Sequence, residues 1–284
     1  MRIGGVDVTP VYETAAGAPI QRGIAAATPA ALRATAGMRP AFAGADGTMR
    51  AVVQAFVVRS GGTTVLVDAG VGNGKPRPDL PEWHELETAF LRRLADAGVV
   101  PEDVDLVVNT HMHFDHVGWN TTRVDGAWAP TFPRARYLIS RAEFDYWRTG
   151  PERETRDDRT GFLDSVRPVV DAGQVDLCAP DRELCAGVRL LDTAGHTPGH
   201  VSVLVESAGE TAVITGDAIH HPCQVVHPAW GIGSDFDPPK AQRARVALLE
   251  RCADTGGSLI GSHFAAPTGI TVQRDGAAFR LAPA

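Results

Sequence analysis

The chain has 284 residues, of which 44% are hydrophobic and 21% are charged, a composition typical of a globular protein with a sizeable core. The 34 acidic and 27 basic residues give a net charge of −7. The acidic net charge and the lack of a run of lysines or arginines both argue against a nucleic-acid partner. The first residues lack the basic start and apolar stretch of a signal peptide, and no window approaches about 18 apolar residues, so we expect no membrane segment and a cytoplasmic location. The cysteines form no CxxC pair and predict reduced thiols, with a Cys178–Cys185 disulfide as the alternative in an oxidising setting.

The predicted elements begin with residues 15–47, a stretch rich in Ala, Gly, Pro and Thr that we interpret as an N-terminal extension or lid contributing little core. Clusters of β-branched and aliphatic residues then predict strands at 52–59, 64–67, 106–110, 188–193, 201–206 and 211–215. Turns at 60–63 and 208–210 predict antiparallel hairpins. Helical spacing and end signals predict helices at 84–97 and 238–256, with shorter ones at 28–36, 141–148 and 162–172. No repeat or linker divides the chain, so we expect one domain over residues 1–284.

The most informative segment follows the strand predicted at 106–110, where four candidate metal ligands occur within six residues. On extended backbone, positions two apart face the same way, so His111 and His113 can converge on one ion. After a turn, Asp115 and His116 can address a neighbouring position. Two metals could therefore share this loop.

Three further candidate ligands, His196, Asp217 and His263, follow aliphatic stretches in the same manner. A single His or Asp after a strand is more often a hydrogen-bonded turn residue than a ligand. Five imidazoles and two carboxylates at strand ends, however, would be costly to leave unpaired in a half-buried cleft. Together they predict a metal site on a rigid rim of strand ends.

With these motifs the sequence resembles the metallo-beta-lactamase superfamily over residues 52–263. The matching segments are Val67-Asp68-Ala69-Gly70, residues 111–116, Gly195-His196-Thr197-Pro198-Gly199-His200, Gly216-Asp217 and His263. The resemblance implies an α/β fold, a four-layer αββα sandwich of two mixed β-sheets with helices on both outer faces. It also implies that the metal site lies at one edge of the sheets.

The resemblance assigns the ligands by position. His111, His113 and His196 would bind the first ion, Asp115, His116 and His263 the second, and Asp217 would bridge the two together with a hydroxide. True β-lactamases of the superfamily usually depart at His116 and Asp217, whereas its dinuclear hydrolases keep both. Antibiotic hydrolysis is therefore not the first choice.

Other candidate residues surround these ligands. The resemblance implies that Asp68 supports the site by orienting ligand imidazoles, against the alternative of a plain turn aspartate. His200 is either a similar support or a packed core histidine. In homoserine lactonases a tyrosine three residues after the bridging aspartate contacts the substrate carbonyl, and His220 stands at that place here. His220 thus joins Asp115 and Asp217 as a candidate catalytic residue, with a structural role as the alternative.

Candidate pocket residues come from two segments. Phe114 and Trp119 flank the ligand loop, and residues 219–239, which contain His221 and Trp230, lie between a ligand and a helix. Their rings could form an apolar surface for an acyl or aryl group, although ordinary core packing is the alternative for each.

Among the branches of the superfamily, the chain looks most similar to the lactonase group that includes methyl parathion hydrolase. We therefore expect a hydrolase that uses two divalent ions, zinc first with Mn, Fe or Co as alternatives, to open a lactone or cleave a related carboxylic ester. The expected partner is a small-molecule substrate, and a homodimer is one candidate oligomeric state. An arylester or organophosphate hydrolase, an iron-dependent sulfur dioxygenase and a non-catalytic binding protein are the alternatives.

Overall fold

The computed structural model describes residues 1–282. Its strands are, in chain order, β1 (Arg2–Ile3), β2 (Val6–Ala15), β3 (Val52–Ser60), β4 (Thr63–Val67), β5 (Leu106–Val108), β6 (Thr121–Val124), β7 (Ala127–Pro130), β8 (Arg136–Ser140), β9 (Val175–Cys178), β10 (Glu183–Cys185), β11 (Val188–Asp192), β12 (Val201–Ser207), β13 (Glu210–Ile214), β14 (Ser258–Ile260), β15 (Gly269–Asp275) and β16 (Ala278–Leu281).

The helices are α1 (Gly17–Gly23), α2 (Pro29–Ala34), α3 (Phe90–Asp96), α4 (Phe114–Val117), α5 (Arg141–Trp147), α6 (Arg156–Gly161), α7 (Arg167–Asp171), α8 (Cys223–Val226) and α9 (Pro238–Thr255). A π-helical turn, Phe162–Val166, joins α6 to α7. Short 3-10 turns occur at Pro81–Trp83, Pro101–Asp103, Gly118–Asn120 and Gly216–Ala218.

The strands form two large mixed sheets. The first has the order β1-β2-β3-β4-β5-β8-β9 and the second the order β10 to β16, while β6 and β7 form a separate hairpin. The predicted antiparallel hairpins are confirmed as the pairs β3–β4 and β12–β13. At the β3–β4 turn, Gly61 and Gly62 have φ values of 58° and 84°, the left-handed backbone that a tight hairpin turn of this hand requires. Parallel pairing of β4–β5 and of β13–β14 makes both sheets mixed.

Alternating side chains of the strands fill the space between the sheets. Phe56, Val65 and Val67 of the first sheet share a buried cluster with Val203 and Ile214 of the second. The period of two along a strand places their neighbours on the opposite face of each sheet. The space between the sheets is therefore filled by a mainly aliphatic core.

Helices cover the outer face of each sheet. On the first sheet, Val57 and Leu66 pack with Phe90 and Leu94 of α3. On the second sheet, strand and α9 side chains share a cluster that includes Leu204, Val213, Leu248, Leu249 and Leu259. The resulting order of helix, sheet, sheet and helix confirms the predicted αββα sandwich.

Helix α9 confirms the prediction made from its end signals. The Asp237 side chain accepts a hydrogen bond from Lys240 N at 3.0 Å, and Pro238 occupies the first turn. Gly256 ends the helix with φ 66°, in the left-handed region. The shorter helices predicted at 28–36 and 141–148 are confirmed by α2 and α5.

The helix predicted at 84–97 is wrong in its first half, since α3 begins only at Phe90. Glu85 has φ 49°, which no α-helix accommodates, and Thr88 N–H donates to the Asn73 side chain at 2.8 Å. A tertiary hydrogen bond therefore holds this segment as a loop. The helix predicted at 162–172 begins earlier than expected, at the start of α6.

The expectation that residues 15–47 contribute little core is wrong. Five of their larger apolar side chains are at most 5% exposed and belong to the cluster beneath α9, namely Ile20, Ile24, Leu32, Met38 and Phe42. These side chains are separated by Ala, Gly and Pro, so the average composition of the segment conceals them. The role of the segment as an extension or lid stays a prediction.

The four cysteines are free thiols, as their spacing predicts. No helix within residues 1–282 combines the length and apolar character needed to cross a lipid bilayer.

Candidate metal centre

The candidate ligands lie just after the carboxyl ends of neighbouring strands. His111 and the loop behind it follow β5, Asp217 follows β13, and His263 follows β14. His196 follows β11, and Asp68 follows β4. Because these ends meet at one edge of the packed sheets, side chains from four segments of the chain form a single buried cluster of seven residues, comprising His111, His113, Asp115, His116, His196, Asp217 and His263.

The first group within this cluster contains His111, His113, His196 and Asp217, whose candidate ligand atoms all lie within 4.8 Å of one another. His113 Nδ1 lies 3.0 Å from both His111 Nε2 and His196 Nε2. The second group contains Asp115, His116 and His263. This partition is the one that the family resemblance implied.

Asp217 lies between the two groups and presents a different oxygen to each. Its Oδ2 lies 3.4 Å from His196 Nε2 and 3.7 Å from His111 Nε2. Its Oδ1 lies 3.2 Å from His116 Nε2 and 3.1 Å from His263 Nε2. A carboxylate in this orientation can bind one cation through each oxygen.

Four of the five imidazoles, all except that of His113, have an outward-facing nitrogen bonded to an acceptor. His116 Nδ1 donates to Asp68 Oδ2 and His196 Nδ1 donates to Asp235 Oδ1, each at 2.9 Å. His263 Nδ1 donates to the Val52 carbonyl at 2.8 Å. Because carboxylate and carbonyl oxygens only accept, these Nδ1 atoms hold protons, and in the neutral form of each ring the Nε2 atom directs a lone pair into the cluster.

His111 is fixed in the same manner. Thr110 Oγ1 donates to Asp68 Oδ2 at 3.1 Å, so its remaining lone pairs accept from His111 Nδ1 at 3.0 Å. His111 Nε2 is thereby left as an acceptor that faces two other imidazoles. Several converging lone pairs repel one another unless a cation lies between them.

Burial and neighbouring charges divide the histidines into two groups whose pKa values shift in opposite directions. Burial lowers the pKa of His111 well below its usual range, and it lowers the pKa of His196 to about 4. Both rings are therefore neutral, as metal ligands must be. In contrast, the carboxylate of Asp217 and those of nearby aspartates overcome burial and raise the pKa of His116 and of His263. Binding of cations at these two rings would release protons.

Burial alone would raise the pKa of Asp217, but the neighbouring imidazoles of His220, His116 and His263 hold it well below its usual range. Its Oδ1 is buried and has no hydrogen-bond partner among the described residues. A buried, ionised carboxylate oxygen surrounded by imidazole nitrogens is a suitable ligand for a cation. Imidazole nitrogen and carboxylate oxygen are donors that Zn²⁺ accepts, and Mn, Fe and Co also bind such sets.

Asp68 lies behind the ligand loops and connects three of them. Its carboxylate accepts from Thr110 N at 2.9 Å, from His116 Nδ1 and from Ser262 Oγ at 3.3 Å. The residue itself has φ 59°, a strained conformation for a non-glycine residue that these contacts stabilise. Asp68 thus lies where the predicted supporting residue would be.

His200 lies behind His111, with ring centroids 5.1 Å apart. Its Nδ1 contacts Thr193 Oγ1 at 2.8 Å, and its Nε2 accepts from Asp217 N at 2.9 Å. His200 therefore packs in the core and also fixes the backbone of Asp217. Both alternatives considered for it, a packed core histidine and a support for the site, thus describe part of its surroundings.

Two acidic residues that the sequence analysis missed hold the ligand loops. Asp235, in the loop before α9, accepts from His196 as described above and from Ile232 N at 3.3 Å. Glu143, in α5, accepts from Met112 N and Gly199 N at 3.0 and 2.9 Å. Neither residue belongs to a local sequence motif. The one available signal was the position of Glu143, an acidic residue in the first turn of a helix that follows a strand.

A cavity of about 460 Å³ opens onto the cluster. His113, Asp115, Asp217 and His220 lie at its floor. Its apolar lining contains Ile20, Leu80, Trp83, Phe114 and Ile232. Three acidic side chains, Asp79, Asp157 and Asp158, line the same cavity. The predicted pocket residue Phe114 lies in the apolar lining, and its ring contacts that of Trp83 at a centroid distance of 5.8 Å.

Three predicted pocket residues do not line this cavity. Trp119 stacks on Phe90 in the core of the first sheet and donates to Glu13 Oε1 at 2.5 Å. His221 is buried and its Nε2 bonds to the Phe42 carbonyl at 3.0 Å. Trp230 stacks on a neighbouring histidine and is partly buried against the core beneath α9. All three rings are therefore packed against the core, which is the alternative considered for each in the sequence.

His220 lies at the floor of the cavity, and its Nε2 is 3.0 Å from Asp217 Oδ2. It is 1% exposed, and neither ring nitrogen makes a hydrogen bond within residues 1–282. Its ring lies parallel to that of His263 at a centroid distance of 6.0 Å. A buried imidazole that makes no hydrogen bond and lies beside the Asp217 carboxylate at the floor of the cavity is suited to contact a substrate.

Comparison with known proteins agrees with this geometry. Residues 49–260 match the model of the metallo-beta-lactamase superfamily. An N-acyl homoserine lactonase from a Bacillus species is 31% identical over 128 residues, which are 45% of this chain and 43% of that protein, so the match spans less than half of the relative's length. Two solved structures share the fold. AidC, described as a dizinc quorum-quenching lactonase, superposes with a TM-score of 0.76 at 20% sequence identity, and the hydrolase AbOPH superposes with a TM-score of 0.74 at 22% identity. Each match covers 100% of this chain and 96% of the other. The matched segment contains six of the seven clustered side chains, and the chain belongs to the metallo-beta-lactamase superfamily.

Proposed function

We propose that the protein is a hydrolase that uses two divalent ions, most simply zinc, to open a lactone or cleave a related carboxylic ester. The observation that supports this proposal best is the orientation of Asp217, which presents one carboxylate oxygen to each group of ligands. The N-acyl homoserine lactonase relative and the dizinc lactonase of the same fold favour this substrate class and this metal.

When bound, such a pair of ions supplies Lewis acidity and lowers the pKa of a coordinated water toward neutrality. The chain's own contribution is to hold neutral imidazoles in place through their outward hydrogen bonds, so that no reorganisation is needed during the reaction. The apolar lining with Trp83 and Phe114 excludes water from the acyl or alkyl part of the substrate.

Two further side chains at the floor have assigned roles in this proposal. His220 contacts the reacting carbonyl or donates a proton, because its ring nitrogens lie free beside Asp217. Asp115 is 9% exposed and lines the cavity, so it would hold the second ion, take the proton that the attacking water releases and pass that proton to the leaving oxygen.

The test uses protein stripped of metal by a chelator and reloaded with zinc. We expect hydrolysis of acyl homoserine lactones, simple γ-lactones and aryl acetates that requires two equivalents of metal, with slower turnover of paraoxon. Asp217→Ala should remove this activity, whereas Asp171→Ala, a change at a side chain that is 60% exposed, should not. Metal-loaded protein that cleaves no lactone or ester would refute the proposal, and oxygen uptake with a persulfide would identify the sulfur dioxygenase alternative.

A further inference from the structure

The long helix α9 contains a charged side chain that is completely buried. Arg245 is 0% exposed and lies on the buried face of the helix. Its Nε donates to the Ala218 carbonyl at 3.0 Å, and its Nη1 donates to the Pro228 carbonyl at 2.8 Å. A buried charge is costly, and an apolar side chain of similar volume often fills such a place equally well. Packing alone therefore does not account for an arginine at this position.

The third nitrogen of the guanidinium faces a carboxylate. Nη2 has no hydrogen-bond partner among residues 1–282, and Asp235 Oδ2 lies 3.8 Å from it, a separation that is too long for a hydrogen bond but within the range of an ion pair. Asp235 is 4% exposed, so solvent screens this pair only weakly. The other oxygen of Asp235 accepts from His196 Nδ1 at 2.9 Å. Arg245 is therefore the counter-ion of the carboxylate that orients His196.

The two hydrogen bonds connect the same guanidinium to the bridging ligand and to the loop 227–237. Ala218 follows Asp217 directly, so the bond to its carbonyl holds the backbone of that turn. The loop 227–237 joins α8 to α9 without regular secondary structure, and part of it lines the cavity. Pro228 lies near its start and Asp235 near its end. One side chain thus contacts both ends of this loop and the turn of the bridging ligand.

We infer that Arg245 is a positioning residue of the metal centre. It holds Asp235 against His196, and it keeps that pair at a fixed distance from the turn of Asp217. This inference rests on the proposed function, because the metal centre is the one proposed there. Arg245 is not among the residues that line the cavity, so it acts through other side chains. Its planar guanidinium directs donors along fixed directions, which a lysine ammonium does not reproduce.

The test measures zinc affinity by competition with a chromophoric chelator. Arg245→Met removes the charge and keeps most of the volume, and we expect the zinc affinity to fall about 10-fold, as when a partner of a metal ligand is lost. Arg243→Met makes the same change at an exposed position of α9 and should leave the affinity unchanged. Leu249→Ala, a buried change one turn farther along the helix, should lower the urea midpoint of unfolding without changing the zinc affinity. This last control distinguishes positioning from a merely structural role.

Two further variants test the route through Asp235. Arg245→Lys retains a buried cation without the planar fork, and we expect its zinc affinity to fall about threefold. Asp235→Asn should lower the affinity about 10-fold. In the double variant of Arg245→Met and Asp235→Asn the loss should stay below about 30-fold, because both side chains act on His196, whereas independent effects would multiply to about 100-fold.

The outcomes separate this inference from the proposed function. Wild-type zinc affinity in Arg245→Met, or in Arg245→Lys if the first variant does not fold, would overturn the inference. A loss of about 100-fold in the double variant would overturn it as well. None of these measurements requires turnover, so a protein that binds zinc but opens no lactone would refute the proposed function alone.

Discussion

Replacing Glu143 by glutamine tests how the fold holds the metal ligands. The Glu143 carboxylate is 1% exposed and accepts four hydrogen bonds, from Met112 N at 3.0 Å, Trp147 Nε1 at 2.7 Å, Thr197 Oγ1 at 2.7 Å and Gly199 N at 2.9 Å. Met112 lies between the first two histidine ligands, and the last two donors follow His196. One side chain of α5 therefore connects two ligand loops.

The size of the effect follows from the number of bonds lost. A glutamine in the same position keeps one carbonyl oxygen, but its NH₂ group faces two donors, either Met112 N with Trp147 Nε1 or Thr197 Oγ1 with Gly199 N. Hydrogen bonds to a charged group contribute about 1.5 to 3 kcal/mol each, so we expect Glu143→Gln to lower the free energy of unfolding by about 3 kcal/mol. Loss of a partner that orients metal ligands typically weakens metal binding by about 10- to 100-fold, and we expect the same here.

Two measurements check this prediction. Urea denaturation gives the free energy of unfolding, and competition with a chromophoric chelator gives the zinc affinity without reference to activity. Glu250→Gln, a change at an exposed position of α9, is the matched control and should alter neither quantity. If Glu143→Gln bound zinc as tightly as the wild type, the proposed link between α5 and the ligand loops would be refuted.

Three further perturbations address other parts of the structure. Asp217→Ala should abolish hydrolysis and reduce bound zinc below two equivalents while leaving the circular dichroism spectrum unchanged; full metal content measured by mass spectrometry would contradict the bridging role. Burial raises the pKa of Glu13 from 4.5 to about 7, so its stabilising contribution is complete below about pH 4.5 and is lost as the pH rises through 7. Denaturation of wild type and Glu13→Gln at several pH values should therefore show the wild type losing about 3 kcal/mol relative to the variant between pH 4.5 and 8, and a constant difference would show that the pKa is not raised. In Gly118→Ala the new Cβ would lie 1.9 Å from the Val71 carbonyl oxygen, so we expect a loss of about 3 kcal/mol or more in the same assay, whereas Gly5→Ala, with 3.5 Å to its nearest neighbour, should lose far less.

The sequence was most informative where a local pattern determines the structure. The strands β3, β4, β12 and β13 combine β-branched side chains with short glycine-containing turns, and these signals need no tertiary information. The ligand segment 111–116 could be predicted equally well, because the spacing of its side chains and the strand before it determine which residues can converge on a metal ion. The seven predicted ligands accordingly lie together in the structure.

Contacts between distant segments could not be derived in this way. Residues 15–47 have an average composition of a loop, yet Leu32 and Met38 are completely buried because other segments provide their surroundings. Residues 84–89 have helical spacing, but a hydrogen bond from Thr88 to Asn73 holds them as a loop. Local propensity is overridden in both places by tertiary contacts.

The surroundings of the metal centre show the same limit. Glu143 and Asp235 support the ligand loops from α5 and from the loop before α9, far away in sequence, and no motif marks them. Conversely, Trp119 lies three residues after a ligand but points into the core, where Glu13 is its partner. Proximity in sequence predicted the ligands themselves, but it did not predict which neighbouring rings reach the cavity.

Anomalous diffraction from crystals grown with zinc would test the dinuclear centre most directly. We predict two peaks at the zinc edge about 3.5 to 4 Å apart, on either side of the Asp217 carboxylate. One should be bound by His111, His113 and His196, and the other by the second group, Asp115, His116 and His263. A map of zinc-saturated protein without density at these side chains, or with their rings turned away from one another, would contradict a metal centre at this edge of the sheets.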